Sequence, residues 1–507
     1  MATKMPIRLL KLGYPTPEHL QLCTTEHAKT KDDYMTLSHC WGSAKPLELR
    51  KENSDQLFKG VHLSLLPQTF QDTVKISRRL GVEYLWIDSL CILQDCDKDW
   101  QREASMMGDV YKGALCNIAA TGSANSRGGC FRKREPRLVE PCIITTEYTD
   151  HFNNEYHIQQ HNYLQNILYG DEPLLRRGWV VQELVLPPRV LHFGKRQVFW
   201  ECRTENTCET YPLGLLPTMY NTSHCLKRQS RLAHNINARN QLGTHNFEML
   251  YEDVYCYWWK IVETYLQCNL TREEDKLVAI SGLAKEVYTA LGGHDEYLAG
   301  LWRRNILSQL LWFIGGGWRT YGVRPERYRA PSWSWASIDG RISIPAHTNP
   351  TNLNFLVTLI DAHVDHSTEN AFGQVKNGYI RLCGPLLTIT FEEKEPDDEL
   401  IDSEYDAFLN GQQTEDVSPQ MDVDGLIANH LHFMPFYVES SQNGPYALRG
   451  LLLQSTGKAK GQFRRCGVLI LHDKAMATGW PSWTRIQNDN WLEYEEVTGN
   501  EYTISII

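Results

Sequence analysis

Three residues in the first hundred positions carry side chains that could do acid/base or nucleophilic chemistry. His39 has an imidazole that titrates near neutral pH, Asp88 has a carboxylate, and Cys91 has a thiol. Together they are the residue types of a nucleophile, its base and the group that orients the base. Each also has a structural interpretation: a hydrogen bond from His39 to a loop carbonyl, a helix cap at Asp88, and a buried thiol at Cys91.

A second candidate is Glu103, which follows Trp100 by three residues and precedes Met107 by four. This spacing puts its carboxylate beside the apolar stripe of a helix, away from the solvated face. A carboxylate in that position needs a partner, either a ligand in a cleft or an ion pair with Arg177 or another arginine. Arg177 could instead hold a phosphate or carboxylate of a ligand in bidentate fashion. The other candidate ligand-binding residues are Trp41, Gln182 and Glu183.

The elements that must position these residues follow the order strand, helix, strand. Residues 34–38 predict a short strand that leads into His39, and residues 84–87 predict a buried strand that leads into Asp88. Between them, the pattern of residues 67–81 predicts a helix that begins at proline and ends at glycine. Such a unit makes parallel strands, and ligands of open α/β sheets bind beyond the carboxyl ends of those strands. We therefore expect His39 and Asp88 to lie at the same edge of the sheet, at the carboxyl ends of its strands.

Further elements extend this α/β pattern and divide the chain. The sequence predicts helices at 98–112 and 174–186 and strands at 116–120 and 189–193. Beyond them, residues 331–337 predict a tryptophan-rich strand that packs in a core. The predicted segments are an N-terminal extension (1–33), an α/β domain (34–200), a mainly helical region (201–325), and a β-rich region (326–507) with an acidic mobile loop near 392–425.

Composition excludes several classes of function. With 507 residues, 42% hydrophobic and 22% charged, the chain is long enough for several packed units and is typical of globular proteins. A net charge of −10 disfavours nucleic-acid binding, which needs a clustered basic face. We expect no secretion signal and no membrane span, hence a cytoplasmic or nuclear protein. The 14 cysteines form no CxxC pair, so we expect no structural metal.

Four blocks, in this order, resemble the conserved blocks of fungal heterokaryon-incompatibility (HET) domains. The first is Leu37-Ser38-His39-Cys40-Trp41-Gly42, and the second is Leu85-Trp86-Ile87-Asp88-Ser89-Leu90-Cys91-Ile92. The third runs from Trp100 through Tyr111-Lys112-Gly113-Ala114, and the fourth is Arg177-Gly178-Trp179-Val180-Val181-Gln182-Glu183. Two later segments, at 271–284 and 330–337, are similar to those that follow HET domains in many fungal proteins, and the chain resembles the stand-alone members of the family.

The resemblance implies a role in non-self recognition, where fusion of unlike fungal cells triggers growth arrest or cell death. It implies a partner, either a second copy of the chain or an incompatibility protein. HET domains have also been proposed as distant relatives of TIR domains, some of which cleave NAD+ with a glutamate on a helix. That relation implies a parallel sheet of TIR or flavodoxin type, NAD+ as a candidate substrate with no bound cofactor, and Glu103 as the residue that stabilises the reacting ribose.

A second interpretation stays open beside this one. A HET scaffold could carry small-molecule chemistry, as a biosynthetic hydrolase, isomerase or dehydratase that uses His39 with Asp88 or Cys91. It predicts a pocket where those side chains meet around a small-molecule ligand. If those side chains point into separate cores, this interpretation fails. A binding module without catalysis would show a shallow rim on which these side chains are unpaired.

Overall fold

The structure is a computed structural model, and it describes 16 ranges of the chain and two compact units. The described residues are 5–25, 33–43, 46–140, 142–146, 154–158, 171–215, 226–227, 229–230, 247–315, 320–344, 353–393, 405–414, 417–425, 430–439, 447–472 and 491–507. The N-terminal unit comprises Met1–Thr244, Cys268–Leu270 and Val278–Ala290, and the C-terminal unit comprises the remainder.

The described residues contain α-helices between 4 and 20 residues long. They are α1 (Ser54–Lys59), α2 (Gln68–Arg79), α3 (Asp88–Cys91), α4 (Asp97–Gly113), α5 (Gly178–Val185), α6 (Phe247–Leu266), α7 (Ser281–Ala290) and α8 (Ile306–Gln309). Among these residues, no helix is both long enough and apolar enough to cross a membrane.

The strands of the N-terminal unit are β1 (Arg8–Leu12), β2 (His19–Thr24), β3 (Tyr34–Ser38), β4 (Val61–His62), β5 (Tyr84–Trp86), β6 (Cys116–Ala119), β7 (Cys142–Thr146), β8 (Asn154–Ile158), β9 (Arg189–Phe193), β10 (Val198–Cys202) and β11 (Asn206–Cys208).

The strands of the C-terminal unit are β12 (Tyr297–Leu298), β13 (Leu301–Trp302), β14 (Phe313–Ile314), β15 (Ile342–Ser343), β16 (Thr358–His366), β17 (Val375–Gly384), β18 (Leu387–Glu393), β19 (Tyr405–Leu409), β20 (Gln412–Thr414), β21 (Val417–Met421), β22 (Leu431–Glu439), β23 (Ala447–Ser455), β24 (Gln462–Leu471), β25 (Glu496–Thr498) and β26 (Glu501–Ile506).

The N-terminal unit is built on one nine-stranded mixed sheet in the order β11-β10-β9-β6-β3-β5-β1-β2-β4. Its centre is parallel, because β3 pairs in parallel with β5 on one side and with β6 on the other, and β6 pairs in parallel with β9. The α/β module is thus confirmed, and the predicted parallel sheet corresponds to its centre. The outer strands are antiparallel because short connections, such as that between β1 and β2, join only antiparallel strands. A TIR or flavodoxin type of fold stays a prediction.

Local sequence signals account for the elements around this parallel centre. Helix α2 follows Pro67, buries Phe70 and Val74, and ends before Gly81, whose φ of 76° suits a residue without a side chain. Helix α4 has acidic residues in its first turn and Lys112 in its last, which complements the helix dipole. The predicted helix at 174–186 is a 3₁₀ turn followed by α5.

The predicted N-terminal extension belongs to the sheet. Strands β1 and β2 pair with each other, and β1 also pairs with β5, so that Leu10 lies opposite Leu85. Leu9 and Leu10 are fully buried. The compact unit therefore begins well before residue 34.

Helix α7 is packed against α4 although it lies far away in sequence. A side chain at Gly108 would meet the Cα of Gly282 at 2.7 Å, so the two backbones approach as closely as only glycine permits. Lys112 forms an ion pair with Glu286, and Lys285 donates to Asp109 over 2.7 Å. Residues from the predicted helical region thus complete the N-terminal unit, while the predicted boundaries at 200 and 325 stay predictions.

The C-terminal unit is dominated by an eleven-stranded sheet, in which β16-β17-β26-β24-β23-β22-β18-β19-β20 form the main path. The β-rich prediction for this region is confirmed. Asp422 and Arg465 form an ion pair here with both side chains fully buried.

Two predictions within this unit are corrected. The first concerns the acidic mobile loop predicted near 392–425, because described residues of this stretch form β19, β20 and β21. Apolar side chains such as Ala407, Leu409 and Val417 are buried on one face of these strands, and acidic side chains of an antiparallel strand can lie on the solvated face. The tryptophan-rich stretch is a turn followed by a 3₁₀ turn, Trp335–Ser337, and no strand. Trp333 and Trp335 are nevertheless fully buried, so their predicted role in core packing is confirmed.

Candidate functional site

The candidate site lies at the carboxyl ends of the parallel strands. His39 directly follows β3, and Asp88 follows β5 after one residue. The chain runs from β3 to β5 on one side and then crosses to β6 on the other side of β3, from where it continues to β9, so the strand order switches between β3 and β6. Ligands of open α/β sheets bind at such a switch in strand order.

His39 and Asp88 come together at this edge. The Nδ1 atom of His39 lies 3.8 Å from Oδ1 of Asp88, with 1% and 19% of the two side chains exposed. The Asp88 carboxylate also accepts a hydrogen bond of 2.7 Å from the backbone N–H of Ser89, in the first turn of α3. Asp88 therefore accepts a hydrogen bond at the N-terminus of α3, and part of its carboxylate is still exposed to solvent.

Trp41 holds the other oxygen of this carboxylate. Its indole Nε1–H donates to Oδ2 of Asp88 over 2.9 Å, and its ring lies nearly parallel to that of His39, with 6.5 Å between the ring centroids. The edge of Phe70 contacts the His39 ring from another side, at a centroid distance of 5.0 Å. Carboxylate and imidazole are thus fixed by aromatic side chains from separate elements.

The surroundings of His39 keep its imidazole neutral. Burial lowers the pKa of His39 to about 4, with Asp88 raising the value and Arg177 lowering it further. Neither ring nitrogen has a hydrogen-bond partner among the described residues. A neutral imidazole offers one donor and one acceptor. Its free hydrogen-bonding groups therefore suit a polar atom of a ligand beside Asp88.

Arg177 and Glu183 extend the site from α5. Arg177 precedes the helix, and its Nη1 donates to the backbone carbonyl of His39. Glu183 is 5% exposed, and burial raises its pKa to about 7, against the lowering effect of Arg177. The charge of Asp88 raises this pKa too, so the two carboxyl groups are electrostatically linked. The Glu183 carboxyl group can exchange a proton near neutral pH.

Three further residues of this site are absent from the set of sequence candidates. Ser38 and Tyr111 hydrogen-bond the Glu183 side chain, and Asn117 donates from Nδ2 to its backbone oxygen over 3.0 Å. Asn117 also donates to Ser38 over 2.9 Å. The available signal was the presence of polar residues within buried strands, since Ser38 and Asn117 are both fully buried.

Gln182 takes no part in this arrangement. It is 1% exposed, and its amide has no hydrogen-bond partner among the described residues. A side chain at Gly282 would lie 2.7 Å from its Oε1, so the amide faces α7. The two neighbours on α5 thus face different surroundings, Glu183 toward Ser38 and Gln182 toward α7.

Glu103 and Cys91 belong to a separate cluster around Arg8. Glu103 is 1% exposed, with Oε1 at 3.4 Å from Arg8 and 3.6 Å from Arg102, and burial raises its pKa. The backbone oxygen of Cys91 accepts a 2.6 Å hydrogen bond from Nε of Arg8. Burial raises the pKa of the fully buried Cys91 thiol far above its usual value, and its charged neighbours are Arg8 and Glu103, not His39. The structure therefore pairs His39 with Asp88 without the thiol.

In the described part of the chain, no cluster of three or more His, Cys, Asp or Glu side chains could hold a metal ion. The side chains that gather at this edge are a partly exposed carboxylate, a neutral imidazole, and a buried carboxyl group beside a guanidinium.

Comparison with known proteins identifies the module that holds these residues. Residues 34–183 match the family model described as Heterokaryon incompatibility protein (HET). No curated protein and no solved structure matches the chain. The matched range contains His39, Trp41, Asp88, Arg177 and Glu183, and residues 34–183 of this chain form a HET domain.

Proposed function

We propose that this protein acts in heterokaryon incompatibility, the growth arrest or death that follows fusion of unlike fungal cells, through a ligand site on its HET domain. The family match supports the process. The observation that carries the site is the 3.8 Å approach of His39 Nδ1 to Asp88 Oδ1, at the carboxyl ends of β3 and β5 and beside the switch in strand order. A binding or catalytic role for this edge of the sheet explains why a buried imidazole that has no hydrogen-bond partner among the described residues lies beside a carboxylate.

Asp88 is the residue that reaches the ligand in this proposal. Its carboxylate is partly exposed and is held by Trp41, so it can accept a proton or stabilise positive charge without reorganising. His39 bonds a polar ligand atom as a neutral group, because its pKa of about 4 keeps it uncharged at neutral pH. Glu183, whose pKa is about 7, takes up and releases protons for the site.

The reaction that we assign to this site is hydrolysis of NAD+ or a related nucleotide. The bond between the base and its ribose breaks, water takes the place of the base on the ribose carbon, and a proton of the water is released. Loss of nicotinamide creates an oxocarbenium-like centre that a nearby carboxylate stabilises. Asp88 suits this role better than Glu103, since Glu103 is 1% exposed and is paired with Arg8. A buried carboxylate that is paired with an arginine is not free to stabilise a reacting sugar.

Expression in a fungal host tests the proposed process. Induced wild-type protein should arrest growth, and Asp88→Asn should remove the arrest at an equal protein level. The matched control is Asp171→Asn, because the Asp171 side chain is 89% exposed and pairs only with Arg176 among the described residues. Growth that is unaffected by the wild-type protein, alone and after fusion with unlike strains, would contradict a role in incompatibility.

Purified protein incubated with NAD+ tests the chemistry separately. We expect release of nicotinamide by the wild-type protein and by Glu103→Gln, and loss of release in Asp88→Asn. The reverse result, with Glu103→Gln inactive and Asp88→Asn active, would assign the catalytic role to Glu103. No release by the wild-type protein at high concentration would refute NAD+ cleavage and leave the cell assay to decide the process.

The pairing of His39 with Asp88 also supports the small-molecule enzyme as a second candidate function. Its version with Cys91 as nucleophile has no support, because the thiol lies in the Arg8 cluster and its pKa is raised by burial. The His39 and Asp88 version predicts acid/base chemistry on a small metabolite with no effect on growth. Turnover of such a metabolite by a protein that causes no arrest would favour it.

A further inference from the structure

A short segment far beyond the matched family range packs against the stretch that carries Arg177. Cys268–Leu270 belongs to the N-terminal unit, although the residues on both of its sides belong to the C-terminal unit, and we call it the downstream segment. The family match ends at residue 183. The Cys268 thiol donates to the backbone oxygen of Leu175 over 3.4 Å, shortly before α5 begins. The downstream segment is therefore in contact with the approach to α5.

The downstream segment holds the backbone on both sides of Arg177. The N–H of Asn269 donates to the carbonyl oxygen of Arg176 over 2.6 Å, and the N–H of Gly178 donates to the carbonyl oxygen of Asn269 over 2.8 Å. Arg177 and Asn269 are thereby paired as in a parallel sheet. These two hydrogen bonds fix the place from which the Arg177 side chain enters the site.

The Arg177 side chain links this backbone to several groups of the site. Its Nη1 atom donates to the backbone oxygen of His39, and its guanidinium also hydrogen-bonds the Cys40 side chain. The same positive charge lowers the pKa of Glu183. Because a guanidinium is planar and its hydrogen bonds are directional, a shift of the backbone at Arg177 alters all of these contacts.

Glu183 reports the position of this guanidinium. The charged and titratable groups that face its carboxyl group are Arg177 next to α5, Asp88 after β5, Cys40 after β3 and Tyr111 on α4. Of these four, Arg177 alone is a cation. Withdrawal of Arg177 therefore raises the pKa of Glu183, because the ionised carboxylate loses its favourable charge.

We infer that Asn269 is a positioning residue of the candidate site, which fixes Arg177 through backbone hydrogen bonds and thereby sets the surroundings of Glu183. Asn269 is exposed, and the two bonds involve only its N–H and its carbonyl oxygen. The consequence for catalysis rests on the proposed function, whereas the effect on Glu183 does not depend on any reaction. The part of the chain that the site needs then extends to residue 270, beyond the matched range.

Two proline substitutions remove the two hydrogen bonds one at a time, because proline has no backbone N–H. Asn269→Pro removes the bond to Arg176. Gly178→Pro removes the bond to Asn269 and is compatible with α5, since Gly178 is the first residue of the helix and Arg177 before it is extended, with φ −97° and ψ 129°. Asn269→Ala and Gly178→Ala keep the N–H and are the matched controls.

Infrared titration of the Glu183 carboxyl group in the full chain measures the effect without a substrate. Its band is the one that Glu183→Gln lacks. Both proline variants should raise the midpoint by at least about 0.5 pH unit, a fraction of the roughly one to three pKa units that an adjacent arginine is worth, and both alanine controls should titrate as the wild type does. With NAD+ as substrate, the pH dependence of kcat should move in the same direction, whereas loss of folded protein alone lowers the rate without moving its pH dependence.

The outcomes separate positioning from stability and from the proposed reaction. Far-UV circular dichroism checks the folding of each variant, and Gly178→Pro decides alone if Asn269→Pro does not fold. An unchanged midpoint in the folded proline variants overturns the inference, as does an equal rise in the alanine controls or a failure of both proline variants to fold. A wild-type protein that releases no nicotinamide refutes the proposed reaction, while the infrared midpoints still decide whether Asn269 positions Arg177.

Discussion

Replacement of His39 by glutamine should make the N-terminal unit less sensitive to mild acid. Burial lowers the pKa of His39 to about 4, whereas the unfolded chain has the ordinary value of about 6.5. Between these values the unfolded state binds a proton that the folded state does not. The stabilisation is therefore complete above pH 6.5 and is lost progressively as the pH falls toward 4.

The magnitude follows from the two pKa values. The full span corresponds to about 3.4 kcal/mol, since each pKa unit is worth about 1.4 kcal/mol, and at pH 5 the loss amounts to about 2 kcal/mol. His39 is 2% exposed, so solvent screening does not reduce this figure appreciably. Other groups titrate in the same range, but they do so equally in both proteins.

Hydrogen exchange of the β3 amides, read by mass spectrometry at pH 7 and pH 5, measures this effect locally and avoids signal from the C-terminal unit. After correction for intrinsic exchange, the opening free energy should fall about 2 kcal/mol further in the wild type than in His39→Gln. His62→Gln, in the same sheet with 41% of the side chain exposed, is the control and should behave like the wild type. An equal fall in the wild type and His39→Gln would refute the burial argument.

Two further predictions concern packing in the same unit. Arg8→Met leaves the buried Glu103 without its main counter-charge and should lower the free energy of unfolding by about 3 kcal/mol, more at pH 8 than at pH 5. In urea unfolding, the double variant Arg8→Met/Glu103→Gln should recover part of this loss. An unchanged urea midpoint in Arg8→Met would contradict the pairing. Gly108→Ala should lower the free energy of unfolding by about 1 kcal/mol despite better helix propensity, because the new Cβ meets Gly282 at 2.7 Å. The control Ser105→Ala, exposed on α4, should be neutral or slightly stabilising, and a stabilised Gly108→Ala would refute the close approach.

The sequence by itself determined the elements whose signals are local. The strands at 34–38 and 189–193 have the predicted bounds, and the helices at 68–79 and 97–113 differ from prediction by one or two residues at their ends. Alternation, helical periodicity, proline and glycine act over a few residues, so they can be read without knowledge of the fold. The ordered motif blocks likewise determined the family, which the match over 34–183 confirms.

The proximity of His39 and Asp88 was also predictable, because one topological rule brings together the carboxyl ends of parallel neighbours. What the rule does not contain is the surroundings of each side chain. The stacking of Trp41 and the hydrogen bonds of Glu183 to Ser38 and Tyr111 depend on contacts between separate elements. Those contacts set the pKa values on which the chemistry of the site depends.

Only the tertiary structure decided the partners of Glu103 and Cys91. Helix phase predicted that Glu103 needs a partner, but the partner, Arg8, is 95 positions away on a strand that the sequence left outside the domain. The packing of α7 against α4 was equally hidden, since Gly108 and Gly282 show their complementarity only when the two backbones meet. Charge pairing and close packing depend on distance in space, and periodicity along the chain carries no information about which distant segment will supply the other half of a contact.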